Sequence, residues 1–93
     1  MTTTLHIVHK LERGRLPGAL RRSFASDDSL LLTGDAVYAA LSDRRELPGH
    51  CHALGDAVRA RGLLPQWPPE IPLIDHGGFV ELCVRYDKSL SWG

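Results

Sequence analysis

Apolar and polar positions change period several times along the chain, and each change marks a switch between strand and helix. Residues 3–9 (Thr, Thr, Leu, His, Ile, Val, His) are rich in β-formers and predict a first strand, expected to be central in its sheet. Leu16, Leu20 and Phe24 then recur every fourth position behind Pro17, the pattern of an amphipathic helix that ends before Ser26, Asp27 and Asp28. Those aspartates begin a turn into a second strand at 29–33. Val37, Ala40 and Leu41 put an apolar face on a short helix running to about Arg44, broken by Leu47, Pro48 and Gly49. A third strand is expected at 50–54, and a helix through Ala57, Val58 and Arg61 follows, closed by Gly62 in left-handed geometry.

Residues 63–71 read as a connector stiffened by Pro65, Pro68 and Pro69. Pro72 has no amide to give a ladder, so it can stand only at the start of a strand, and the fourth strand must be short, at 73–75. The broad apolar face of Phe79, Val80, Leu82, Cys83, Val84 and Tyr86 predicts a last helix packed on the sheet. Leu90 and Trp92 alternate with serines in a final strand over 87–92. Strands separated by helices pair in parallel through right-handed crossovers, which predicts a single α/β domain spanning 1–93. It should be a three-layer α/β/α sandwich with a mainly parallel sheet of about five short strands.

One tetrapeptide, Gly-Asp-Ala-Val, occurs at Gly34–Val37 and again at Gly55–Val58, each time directly after an apolar run. Both copies read as strand-to-helix corners: glycine permits the sharp turn, and aspartate is expected to cap the free amides of the helix. Ile74 and Asp75 make a third such corner. Carboxylates at these helix starts would occupy the donors and repel phosphate, so the corners look unsuited to nucleotides.

At 93 residues with one small core, the chain is of a size often supported by a partner subunit. Eleven basic and eleven acidic side chains cancel and interleave, which leaves no long-range field for a polyanion. The arginine pairs at 21–22, 44–45 and 59–61 read as solvated helix faces, since aromatic stacking platforms are few. Direct nucleic-acid binding is therefore not expected. Neither a secretory signal nor a membrane-length apolar run is apparent, so a cytoplasmic setting is expected, with Cys51 and Cys83 as free thiols.

Candidate chemistry is sparse. Cys51, between His50 and His52, is the best nucleophile available, but strand alternation would set the thiol on one face and both histidines on the other. His6, His9, His50, His52 and His76 show no CxxC, HExxH or finger-like spacing. A metal site would depend on an approach of His6 to His52 across neighbouring strands, and none is expected. Neither a Gly-x-Ser-x-Gly elbow nor a Gly-x-Gly-x-x-Gly loop is present, and no cofactor is expected. Trp67 and Trp92 read as contact anchors for a partner, and for Trp92 a place in the core is an equal reading.

Residues 30–41 (LLLTGDAVYAAL), 53–63 (ALGDAVRARGL) and 71–92 (IPLIDHGGFVELCVRYDKSLSW), taken in order, resemble the TusB/DsrH family within the DsrE/DsrF/DsrH-like group. The resemblance implies a parallel-sheet α/β fold and a subunit of a heterohexamer with TusC-like and TusD-like sisters. In that family the complex relays persulfide sulfur from a TusA-like donor toward a TusE-like acceptor, for 2-thiouridine at the tRNA wobble position, or serves sulfur oxidation in the DsrEFH setting. It also implies where sulfur would be carried. The sister subunit has a cysteine at the strand-to-helix turn ahead of the helix ending Arg-Gly, and here Leu54 falls at that position. A structural subunit with no catalytic residue is expected; the alternative is a carrier using Cys51.

Overall fold

The computed structural model describes residues 2–42 and 47–92. Five strands, β1 (Thr4–Val8), β2 (Ser29–Leu32), β3 (Cys51–Leu54), β4 (Leu73–Ile74) and β5 (Lys88–Trp92), lie in one sheet in the order β4-β3-β2-β1-β5. Every pairing is parallel, with Leu5 beside Ser29, Leu30 beside Cys51, Ala53 beside Leu73 and Thr4 beside Lys88. The helices are α1 (Gly18–Ser23), α2 (Ala39–Ser42), α3 (Gly55–Ala60) and α4 (His76–Arg85). A 3-10 turn at Gly34–Tyr38 leads into α2, and a second at Leu64–Gln66 lies in the proline-rich connector. The α/β architecture is the one expected from the sequence. The helix expected to reach Arg44 is seen to Ser42, and Arg44 lies outside the described residues.

The strand order dictates the layers. From β1 to β4 the chain steps in one direction across the sheet through α1, α2 and α3; after β4 it returns through α4 to the far side of β1. Right-handed crossovers taken in opposite directions place their helices on opposite faces, so α4 covers one face and the other helices cover the second. Strand alternation divides the core accordingly. Val8, Leu30, Leu32, Cys51 and Ala53 pack with Leu20, Val37, Ala40 and Val58 on the larger side. Leu5, Ile7 and Leu31 pack with Leu82 beneath α4. As interior strands covered on both faces, β1 and β2 are buried along their whole length, including the polar residues Thr4, His6 and Ser29.

The first corner shows why Gly34 is glycine. Its φ is +54°, and an added Cβ would stand 3.0 Å from the His9 carbonyl oxygen. That carbonyl accepts the Ala36 N–H at 3.2 Å, so the end of β1 occupies the helix start. Asp35 stands inside the turn, after the N-cap residue Thr33, and does not cap it, contrary to expectation. Its Oδ1 instead accepts Nε and Nη2 of Arg61 at 3.1 and 2.9 Å, tying the end of α3 to the first corner. Asp56 does not cap either and pairs with Arg59 at 2.9 Å. Only at the third corner does the expected geometry hold: Asp75 accepts the Gly78 N–H at 2.8 Å. Gly62 closes α3 at φ +68°, as predicted.

Candidate functional site

In an open parallel sheet, ligands and reacting groups gather outside the carboxyl ends of the strands. There, a cleft of about 390 Å³ opens between the β3–α3 and β4–α4 corners, lined by Gly55, Arg59, Leu73, Ile74, Asp75 and Gly78. Leu54 ends β3 directly at this mouth, and among the described residues no thiol, hydroxyl or imidazole lines it. The Arg59 guanidinium is held by Asp56 and the Asp75 carboxylate by Gly78 N–H, so both charges are engaged within their own helices.

Cys51 lies at the opposite end of β3, three residues or about 10 Å from Leu54 at the usual strand rise. Its side chain is buried in the larger core, and burial pushes its thiol pKa up to about 12. A thiolate is the form that attacks or accepts sulfane sulfur, and this environment opposes it. Cys83 is half-buried among the residues under α4, and both cysteines are free.

The five histidines do not converge. His6 and His52 stand on strands separated by β2 and face opposite sides of the sheet, which removes the approach considered from sequence. His52 looks toward α4, and burial, then Arg85 and His50, lower its pKa. His76 begins α4 with its ring edge-on to Phe79, and His9 and His50 are exposed. Among the described residues no group of three or more His, Cys, Asp or Glu side chains is placed to hold a metal ion.

The structure reveals one polar cluster that the sequence pattern missed. Asp28, only 3% exposed, accepts Thr4 N–H and Ala25 N–H, both at 3.0 Å, and the Nε2 of His6 at 2.9 Å. Trp92 Nε1 donates to His6 Nδ1 at 3.1 Å. An indole nitrogen only donates, so Nδ1 is the acceptor and the ring hydrogen sits on Nε2, facing Asp28. Burial opposes the charge of Asp28, but hydrogen bonds from Ala25, His6 and Thr4 outweigh it and hold the carboxyl below its usual range. An aspartate-histidine pair has the outline of a catalytic relay, yet here the outer nitrogen is sealed by Trp92 and the ring is 1% exposed. The cluster is a clasp that joins β1, the α1–β2 turn and the last strand. Trp92 thus acts as a core residue, and Trp67 is half-buried with its Nε1 bonded to Ile71 O at 2.9 Å. The signal available beforehand was weak: an aspartate before a strand is most often an exposed turn residue.

Fold and site define an α/β domain with an all-parallel, five-stranded sheet, a sealed polar clasp, and a strand-end cleft lined among the described residues by Gly55, Arg59, Leu73, Ile74, Asp75 and Gly78. The chain belongs to the DsrH family: the model for DsrH like protein matches residues 12–89. Protein TusB of Escherichia coli (strain K12) is 35% identical over 94 aligned positions, covering 95% of this chain and 99% of the relative. Protein TusB of Yersinia pestis (strain Pestoides F) is 38% identical over 80, covering 80% and 84%. The solution structure of protein Tm0979 from Thermotoga maritima superposes with a TM-score of 0.69 at 26% identity, covering 88% of this chain and 92% of that one. Among the described residues no helix is long and apolar enough to cross a membrane.

Proposed function

We propose that this chain is a non-catalytic, structural subunit of a cytoplasmic sulfur-relay complex. Its sisters are TusC-like and TusD-like chains in a heterohexamer, which receives persulfide sulfur from a TusA-like donor and passes it to a TusE-like acceptor for 2-thiouridine formation at the tRNA wobble position. Kinship with TusB proteins supports the pathway. The observation that carries the non-catalytic role is the β3–α3 corner: Leu54 stands at the mouth of the cleft, and the nearest thiol along the strand, Cys51, is buried with its pKa pushed up to about 12.

The test has two parts. Co-purification of the tagged chain, with native mass measurement, is expected to recover two small sister subunits in equal amounts; recovery of the chain alone would reduce the kinship to one of fold. Incubation with a persulfide donor and intact-mass analysis is expected to show no added sulfur on this chain. An added sulfur atom that disappears in Cys51→Ser would establish the alternative, a carrier role for Cys51.

A further inference from the structure

The two tryptophans place the same donor on acceptors of different kinds. Trp67 Nε1 donates to the backbone carbonyl of Ile71 at 2.9 Å, an acceptor whose lone pairs stay free at any working pH. Trp92 Nε1 donates to His6 Nδ1 at 3.1 Å, and that nitrogen accepts only while it carries no proton of its own. Histidine is the side chain that ordinarily changes charge between about pH 5 and about pH 8. The bond that holds Trp92 therefore depends on the charge of a ring only 1% exposed, and the bond that holds Trp67 does not.

The surroundings decide which partner leaves when His6 takes up a second proton. On one side Asp28 accepts Nε2–H at 2.9 Å and is itself fixed by Thr4 N–H and Ala25 N–H, both at 3.0 Å. Despite burial, hydrogen bonds from Ala25, His6 and Thr4 keep this carboxyl below its usual range, so it is charged and gains an ion pair with the imidazolium. On the other side two N–H groups would face each other across 3.1 Å, with neither able to accept. Trp92 is the less firmly held. It ends β5, an edge strand that pairs with β1 alone and whose other residues are exposed, and past that ladder its carbonyl accepts His9 N–H at 3.2 Å. Leu30 of β2 and Leu90 of β5 stand beside His6 in register, and Phe24 packs on the ring at 5.0 Å. The charged side chains of the same neighbouring segments, Arg21, Arg22, Asp27, Asp87 and Lys88, are exposed.

We propose that His6, Asp28 and Trp92 form a pH-sensitive latch on the edge of the sheet: neutral His6 holds the indole and the end of β5 in place, and protonated His6 keeps Asp28 and releases Trp92. The released state binds one proton more than the latched state, so falling pH shifts the population toward release. Release bares an indole at the sheet edge and frees the last ladder bonds of β5, while β1 to β4 stay paired. The inference stands apart from the sulfur-relay reading, since it requires neither a thiol nor a sister subunit.

The test is hydrogen exchange of the two indole N–H groups, followed by NMR on the full chain from about pH 8 to about pH 5. Intrinsic exchange slows as pH falls over that range, and Trp67 corrects for it. Relative to Trp67, exchange at Trp92 is expected to rise by up to about tenfold per pH unit, the slope that one bound proton gives, and the His9 amide should lose protection with it. His6→Gln does not titrate and should abolish the pH dependence of the ratio. Trp92→Phe removes the donor and should leave the His9 amide less protected at neutral pH with no further rise in acid, which keeps the test in force if His6→Gln does not fold. A constant ratio of Trp92 to Trp67, loss of both signals together, or a pH dependence that persists in either variant would each overturn the proposal.

Discussion

At Gly34–Tyr38 the sequence Gly-Asp-Ala-Val winds as a 3-10 turn with its glycine at φ +54°, whereas at Gly55–Ala60 the same four residues open a regular α-helix with no positive φ. Both valines are fully buried, Val37 and Val58 alike, so the apolar residue does the same work in each copy. What differs is the neighbour. The first corner ends β2, an interior strand, and meets the backbone of His9 as β1 finishes beside it. The second ends β3, beyond which lies only the two-residue β4, and a side chain, Arg59, is what approaches Gly55. A backbone carbonyl cannot move aside and a guanidinium can. Identical local sequence therefore yields two helix types because the tertiary contacts around it are unequal.

The largest expected consequence is in the glycines themselves. Gly34→Ala combines a left-handed backbone with a 3.0 Å approach to the His9 carbonyl, and should destabilise by about 2–3 kcal/mol. Gly55→Ala meets only a movable side chain and should be neutral or stabilising by up to about 1 kcal/mol. Chemical denaturation of the two variants measures the difference, and equal losses would break the comparison.

Next in size is the clasp on the first region's side of the sheet. Asp28→Asn should cost about 2 kcal/mol near neutral pH, because it weakens charge-assisted hydrogen bonds from His6 and two backbone amides. The carboxyl's pKa is lowered by folding, so its contribution is complete above the ordinary carboxylate range and is lost as pH falls below about 4 through the folded value. Denaturation midpoints from neutral to acid pH should fall less steeply in Asp28→Asn; an identical slope would show that other carboxylates govern acid unfolding.

Smaller still is the bridge between the two copies. Arg61 reaches Asp35 from 26% side-chain exposure and also binds Ala57 O, so Asp35→Ala should cost about 0.5–1 kcal/mol. Asp56 is 93% exposed and pairs within its own helix, so Asp56→Ala should change stability by about 0.3 kcal/mol or less. A double-mutant cycle of Asp35 with Arg61 against one of Asp56 with Arg59 would sharpen the contrast, and coupling larger in the second pair would reverse it.

Much of the fold was legible because the relevant signals are local. Strands expected at 3–9, 29–33, 50–54, 73–75 and 87–92 appear within a residue or two of those bounds, and Pro72 does mark the start of a short strand. The aspartate caps were only partly legible. Asp75 caps because it stands at the N-cap position before α4, while Asp35 and Asp56 stand inside their helices, after the N-cap residues Thr33 and Leu54. At the candidate site, the family resemblance placed Leu54 where a thiol would stand, and strand alternation set the Cys51 thiol on the face away from its neighbouring histidines. The clasp of His6, Asp28 and Trp92 was not, since its members lie 22 and 86 residues apart and no short-range pattern links them.

The sequence by itself determined the alternation of strands and helices, the parallel pairing and the kinship, because periodicity and turn chemistry act over a few residues. Only the tertiary structure decided that α4 covers the face opposite the other described helices, that one Gly-Asp-Ala-Val turn takes a left-handed glycine and the other does not, and that an aspartate before a strand is buried. Those outcomes depend on which distant backbone or side chain arrives at a position, and strand order, set by packing the whole sheet, governs that arrival.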